Sequence, residues 1–136
     1  MDQHTLIISC VEYYSCAKDL PAPLAFRSFE ETDLMPLLLD SQKQFPQMQL
    51  DFFLGIIDGV LTLGSQRAGG NFQADEQRVA KIGEVVSLLM KMHKMDALQA
   101  CRMYYSSQTA KALDAGEAGM QAKSAEQLVD LIEAEK

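Results

Sequence analysis

The chain has 136 residues, enough for one domain with a real core, and its 48% hydrophobic and 23% charged residues place it among globular proteins. Net charge is −7 and the sequence pI is near 4.7. Twelve Lys and Arg are scattered among nineteen Asp and Glu, so no basic stripe exists to follow a phosphate backbone, which argues against nucleic acid as a partner.

The opening Met-Asp-Gln-His lacks a basic region ahead of an apolar run. The first apolar segment, Leu6 to Val11, is strand-like by local propensity but is read as part of a helix over 3–18. Pro21 and Pro23 suit the first turn of a second helix, 22–31, and a short third helix is expected over 33–40. Pro46 closes the loop before a fourth, 48–62. This fourth segment is apolar nearly all round: Leu50, Phe53, Leu54 and Ile57 make one stripe, while Phe52, Ile56 and Leu63 point elsewhere. It carries Asp51 and Asp58 and is too short to cross a bilayer, so a soluble, cytoplasmic protein without a membrane partner is expected.

Gly64 to Asn71 has three glycines and no apolar period, and marks a linker over 64–74. Beyond it, Val79, Ile82, Val86 and Leu89 recur at helical spacing and predict a helix over 75–94, with Asp75 as its cap. Asp96-Ala-Leu-Gln99 and Ser124-Ala-Glu-Gln127 have the capping-box form and open helices at 97–106 and 124–135, with a short one at 108–114 between them.

Sliding the chain over itself by 75 residues superposes the two halves without a gap. Ile7 falls on Ile82, Val11 on Val86, Ala22 on Ala97, Ala25 on Ala100, Arg27 on Arg102, Leu38 on Leu113 and Ile57 on Ile132. The expected fold is therefore all-α: one compact bundle over 1–136 of about eight helices, formed by two similar four-helix halves, 3–63 and 75–136. The helix over 48–62 is expected at the centre of these units or at an interface.

The first half runs from Leu6-Ile7-Ile8-Ser9-Cys10-Val11-Glu12-Tyr13-Tyr14 through Ala25-Phe26-Arg27-Ser28-Phe29 and Leu37-Leu38-Leu39 to Ile56-Ile57-Asp58. In this it resembles a family of short bacterial all-helical domains of unknown function, which open with an apolar helix ending in a Glu-Tyr-like pair and close with an amphipathic one. The resemblance covers about one half of the chain and implies a helical fold and no activity. Those domains carry a Leu-His-Thr-like turn before the last helix, where this chain has Phe45-Pro46-Gln47.

Catalytic and metal chemistry leave no motif. The three cysteines include no C-x-x-C and read as free buried thiols of a reducing compartment. His4 and His93 lie in different halves with no acidic residue at ligand spacing, and Gly69-Gly70 follows no strand. Glu126, Asp130 and Glu133 read as a solvated face rather than an acid–base pair. No cofactor and no catalytic residue is assigned. What remains is the apolar surplus of Phe52, Ile56 and Leu63, together with the thioethers of Met90, Met92 and Met95, as a candidate interface. The expected function is a non-enzymatic protein–protein interaction module, binding a partner protein or a second copy as a homodimer. The alternatives are an acidic, antitoxin-like regulator of a basic partner, or a small-molecule binder between the two halves.

Overall fold

A computed structural model describes residues 2–62, 76–117, 119–120 and 122–135. Among the described residues the protein is an all-α bundle of eight helices: α1 (Gln3–Lys18), α2 (Ala22–Glu31), α3 (Leu34–Gln44), α4 (Leu50–Thr62), α5 (Glu76–His93), α6 (Ala97–Ser106), α7 (Gln108–Asp114) and α8 (Ala125–Ala134). The linker 64–74, Leu63 and the Asp75 cap lie outside the described residues. No described helix is long and apolar enough to cross a membrane.

The centre of the bundle is α1, which packs against α2, α3, α4, α5 and α6. Eight successive residues, Leu6 to Tyr13, are buried, so this helix has no wet face along that stretch. That explains its strand-like sequence: a helix buried all round needs apolar residues without a 3.6-residue period. Alongside it, α5 buries Ile82, Val85, Val86 and Leu89 and contacts α6 and α8. Each fully buried aliphatic side chain of this kind contributes roughly 1.5–3 kcal/mol of transfer free energy. Ring contacts complete the core: Phe26 stacks on Tyr105 at 5.1 Å and Tyr14 meets Phe29 edge-on at 5.2 Å.

The helix expected at the centre or at an interface, α4, does not take the centre and packs at the side of the bundle against α1 and α3. It buries Phe53 and Ile57, half-buries Leu50, Phe52, Leu54 and Ile56, and exposes Asp51, Gly55 and Gly59. The reason is that α1 already fills the axis.

Local signals set most boundaries. Asp96 accepts from the Gln99 amide at 2.8 Å while the Gln99 side chain accepts from the Asp96 amide, and Ser124 with Gln127 repeats this box at α8. The third helix runs four residues beyond the expected 40, because Ser41-Gln42-Lys43-Gln44 tolerate a helix and only Pro46 forces Phe45 out of it. The offset of 75 recurs in several elements. The helices α1 and α5 end at Lys18 and His93, α2 and α6 begin at Ala22 and Ala97, and α4 and α8 begin at Leu50 and Ala125. The residues after α1 and α5, Asp19 and Lys94, share a left-handed backbone at φ 54° and 53°. Each is followed by the same six-residue closing bond, Leu20 N to Ser15 O at 3.0 Å and Met95 N to Met90 O at 3.2 Å.

Candidate functional site

Two regions exceed what packing requires. The first is a charged cluster beneath an open cleft. Glu12 stands in the middle of the buried face of α1, its side chain 9% exposed, where an unpaired carboxylate would be costly. Arg78 of α5 donates its Nε to Glu12 Oε1 at 2.6 Å, and the Tyr105 hydroxyl of α6 donates to Glu12 Oε2 at 3.0 Å. The same guanidinium donates to Asp114 Oδ1 at the end of α7, at 2.8 Å, and the other oxygen of Asp114 accepts from the Ala22 amide that opens α2 at 3.2 Å. Five helices are thereby tied to one arginine.

Electrostatics in this cluster favour structure over proton transfer. Burial, reinforced by the neighbouring Glu12 charge, holds the Tyr105 phenol well above its ordinary range, and burial raises that of Tyr104 despite Arg78 nearby. Neither phenol is poised to ionise near neutrality. The buried Tyr104 hydroxyl meets no hydrogen-bond partner among the described residues. Above the cluster, α2, the end of α6 and α7 enclose a cleft of about 880 Å³ lined by Leu20, Leu24, Arg27, Tyr105, Lys111 and Asp114, among others.

The second region is the corner between α3 and α4. Pro46 stops α3, the Met48 amide donates to the Phe45 carbonyl at 3.1 Å, and the Phe52 amide donates to the Gln49 carbonyl at 3.1 Å as α4 begins. This tight connection holds Phe45 and Met48 outward, 45% and 44% exposed. The Phe45 and Phe52 rings lie 5.5 Å apart, and Phe52 meets the buried Phe53 at 5.1 Å, so three aromatic rings run from surface to core. From this corner the outer line of α4 continues as Asp51, Gly55 and Gly59, one helical turn apart, with half-buried Phe52 and Ile56 on one flank and Leu54 on the other. On α3, Leu37 is 42% exposed, with exposed Asp40 three residues on.

Of the residues singled out in the sequence, Phe52 and Ile56 belong to this second region, half-buried rather than free. Leu63 lies outside the described residues. Met90 and Met95 pack half-buried against the core near the α5–α6 turn, and Met92 is 56% exposed. The structure does not bring the methionines to α4: they sit on α5 and its exit, while α4 rests on α1 and α3. Cys10 and Cys101 are buried, as expected, but Cys16 is exposed. His93 is the last residue of α5 and pairs with Glu133 of α8 at 2.5 Å. Among the described residues no three His, Cys, Asp or Glu converge into a metal-binding group.

Sequence reasoning missed Phe45, Met48, Gly55, Gly59 and the Glu12–Arg78 pair. A carboxylate between Val11 and Tyr13 on an apolar helix was the available signal that a buried cationic partner exists. Comparison of the chain with protein-family models, with curated proteins and with solved structures returns no match in any of the three.

Proposed function

We propose that this protein is a non-enzymatic protein-binding module whose docking surface is the α3–α4 corner. The observation that carries the reading is the joint exposure of Phe45 and Met48 beside Phe52. Large side chains held out of the core by a tight turn, contiguous with one another and rimmed by polar residues, are the usual mark of a recognition surface. The offset of 75 supports, as part of the same reading, a chain built from two equivalent four-helix halves of which the first carries this corner. At that offset Phe45 and Met48 correspond to Met120, which is 9% exposed, and to the polar Lys123.

The test is a parallel affinity capture from the source cell's lysate with the wild type and a Phe45→Asp/Met48→Asp variant. Both substitutions fall on exposed side chains, so the fold is retained, which circular dichroism checks. A stoichiometric protein held by the wild type and lost by the variant supports the reading; identical captures overturn it.

The cleft over Asp114 supports a second reading, a binder of small zwitterionic molecules, because Arg27 and Lys111 face it together with Asp19 and Glu30. A thermal-shift screen of amino acids and related metabolites tests this one. A ligand whose stabilisation disappears in Lys111→Glu supports it, and a flat screen removes it.

A further inference from the structure

The identity of the partner follows from α4 and rests on the docking reading above. We infer that the α3–α4 face takes an amphipathic helix carrying Lys or Arg, laid along the line Asp51–Gly55–Gly59 with its apolar end in the Phe45–Met48–Phe52 corner.

Glycine is the poorest helix former after proline, and α4 places two of them one turn apart on its exposed line. Nothing among the described residues requires them. A Cβ added at Gly55 or Gly59 meets no described atom within 4 Å, and neither residue takes the left-handed backbone that would favour glycine. What a missing side chain does offer on an outer face is close approach by another backbone. A shallow trough floored by Gly55 and Gly59 and flanked by Phe52, Ile56 and Leu54 has the shape that a second helix fills, and the eight-residue rise from Asp51 to Gly59 gives it a length of about 12 Å. The other half of the molecule supplies the contrast. At the offset of 75, Phe52, Gly55 and Gly59 correspond to Gln127, Asp130 and Ala134 of α8, which are exposed and make an ordinary solvated line.

Charge decides between a second copy and a different partner. From Glu30 to Thr62 the chain carries six carboxylates and one lysine, Lys43. Glu30 is engaged by Arg102, whereas Asp40 of α3 is exposed and Asp51 stands exposed at the head of the Gly55–Gly59 line. Two copies meeting through this face would set these rims against each other, each on a chain of net charge −7. A helix with basic residues flanking an apolar stripe meets the same rim with attraction, which also speeds encounter.

The probe is a displayed library of 18-residue helical peptides, selected against the full chain and against a Gly55→Leu/Gly59→Leu variant. The Cβ of leucine at either position meets no described atom within 4 Å and leucine is the better helix former, so the variant is expected to melt no lower than the wild type, a readout that separates lost binding from lost folding. The expected result is enrichment of amphipathic sequences with Lys or Arg flanking apolar residues, bound at least tenfold more weakly by the variant and weakened by added salt. Enrichment of neutral or acidic helices that the variant also loses overturns the basic partner but leaves the docking surface standing. A dimer by sedimentation that becomes a monomer in the variant makes the occupant a second copy and overturns the basic partner in the same way. Failure to enrich any peptide sensitive to the variant or to Phe45→Asp overturns both the partner and the docking reading.

Discussion

Arg78 and Glu12 are 66 residues apart in the chain and 2.6 Å apart in the fold, and their bond fixes α5 against the central helix α1, which α2, α3, α4 and α6 also contact. Neither residue has a cheap substitute. Replacing Arg78 by Met leaves the Glu12 carboxylate buried without its countercharge, a loss of about 3–5 kcal/mol by the behaviour of broken buried pairs. Replacing both, as Arg78→Met with Glu12→Leu, removes the orphan charge and is expected to recover most of that loss. Urea denaturation of the two single variants and the double variant measures this, and strict additivity of the single effects would contradict it.

A second tie is sensitive to pH. The Glu135 carboxylate, just beyond α8, accepts from the backbone amides of Gln108 and Thr109 at 2.7 and 3.0 Å and from the Thr109 hydroxyl at 2.5 Å, closing the start of α7. Burial alone would raise its pKa, but these hydrogen bonds and nearby Lys111 hold it below the ordinary value of 4.5. A depressed carboxylate contributes stability that is present above 4.5 and is lost as pH falls through its lower folded value. Glu135 is exposed, so the contribution is modest, a few tenths of a kcal/mol to about 1 kcal/mol. Thermal melts are expected to show Glu135→Gln less stable than wild type at pH 7, with the difference shrinking as the pH falls below 4.5.

The thiols divide by burial. Cys10 and Cys101 are buried and burial pushes both up to about 12, while Cys16 is exposed and only raised by partial burial and Glu12. Relative to an ordinary thiol near 9, a pKa of about 12 leaves roughly a thousandth of the thiolate. A thiol reagent at pH 8 is expected to titrate one cysteine in the native protein and the other two at the rate of unfolding. Three equal phases would contradict the placement of α1 and α6.

Two single substitutions should move stability in opposite directions. Asp96→Ala removes the cap of α6 and costs about 1 kcal/mol, with the Gln99 amide left unsatisfied. Gly55→Ala adds a Cβ in open space on a helical residue and gains about 0.5–1 kcal/mol. Their melting temperatures, one below and one above the wild type, check both arguments at once.

What the sequence made legible was local or repeated. The two capping boxes, the prolines at α2 and the proline-marked break before α4 are short-range chemistry, and the offset of 75 turned the strand-like Leu6 to Val11 into a helix by comparison with Val79 to Leu89. Centrality was not legible. Both α1 and α4 lack a clean polar face, and only three-dimensional packing shows that α1 occupies the axis while the surplus of α4 faces outward. The cluster around Arg78 joins residues from five helices, and no pairwise spacing along the chain encodes that. Phe45 and Met48 escaped notice because an apolar residue in a turn looks the same in sequence whether it folds inward or is held out.

The most direct measurement is a titration of isotope-labelled protein, followed by amide NMR, with a basic amphipathic helical peptide obtained from the selection. The largest shifts are expected on Phe45, Met48 and the amides from Asp51 to Gly59, with the resonances of Gly55 and Gly59 as reporters. Shifts confined to Leu20, Leu24, Lys111 and Asp114, with Gly55 and Gly59 unmoved, would contradict this and transfer binding to the cleft those residues line.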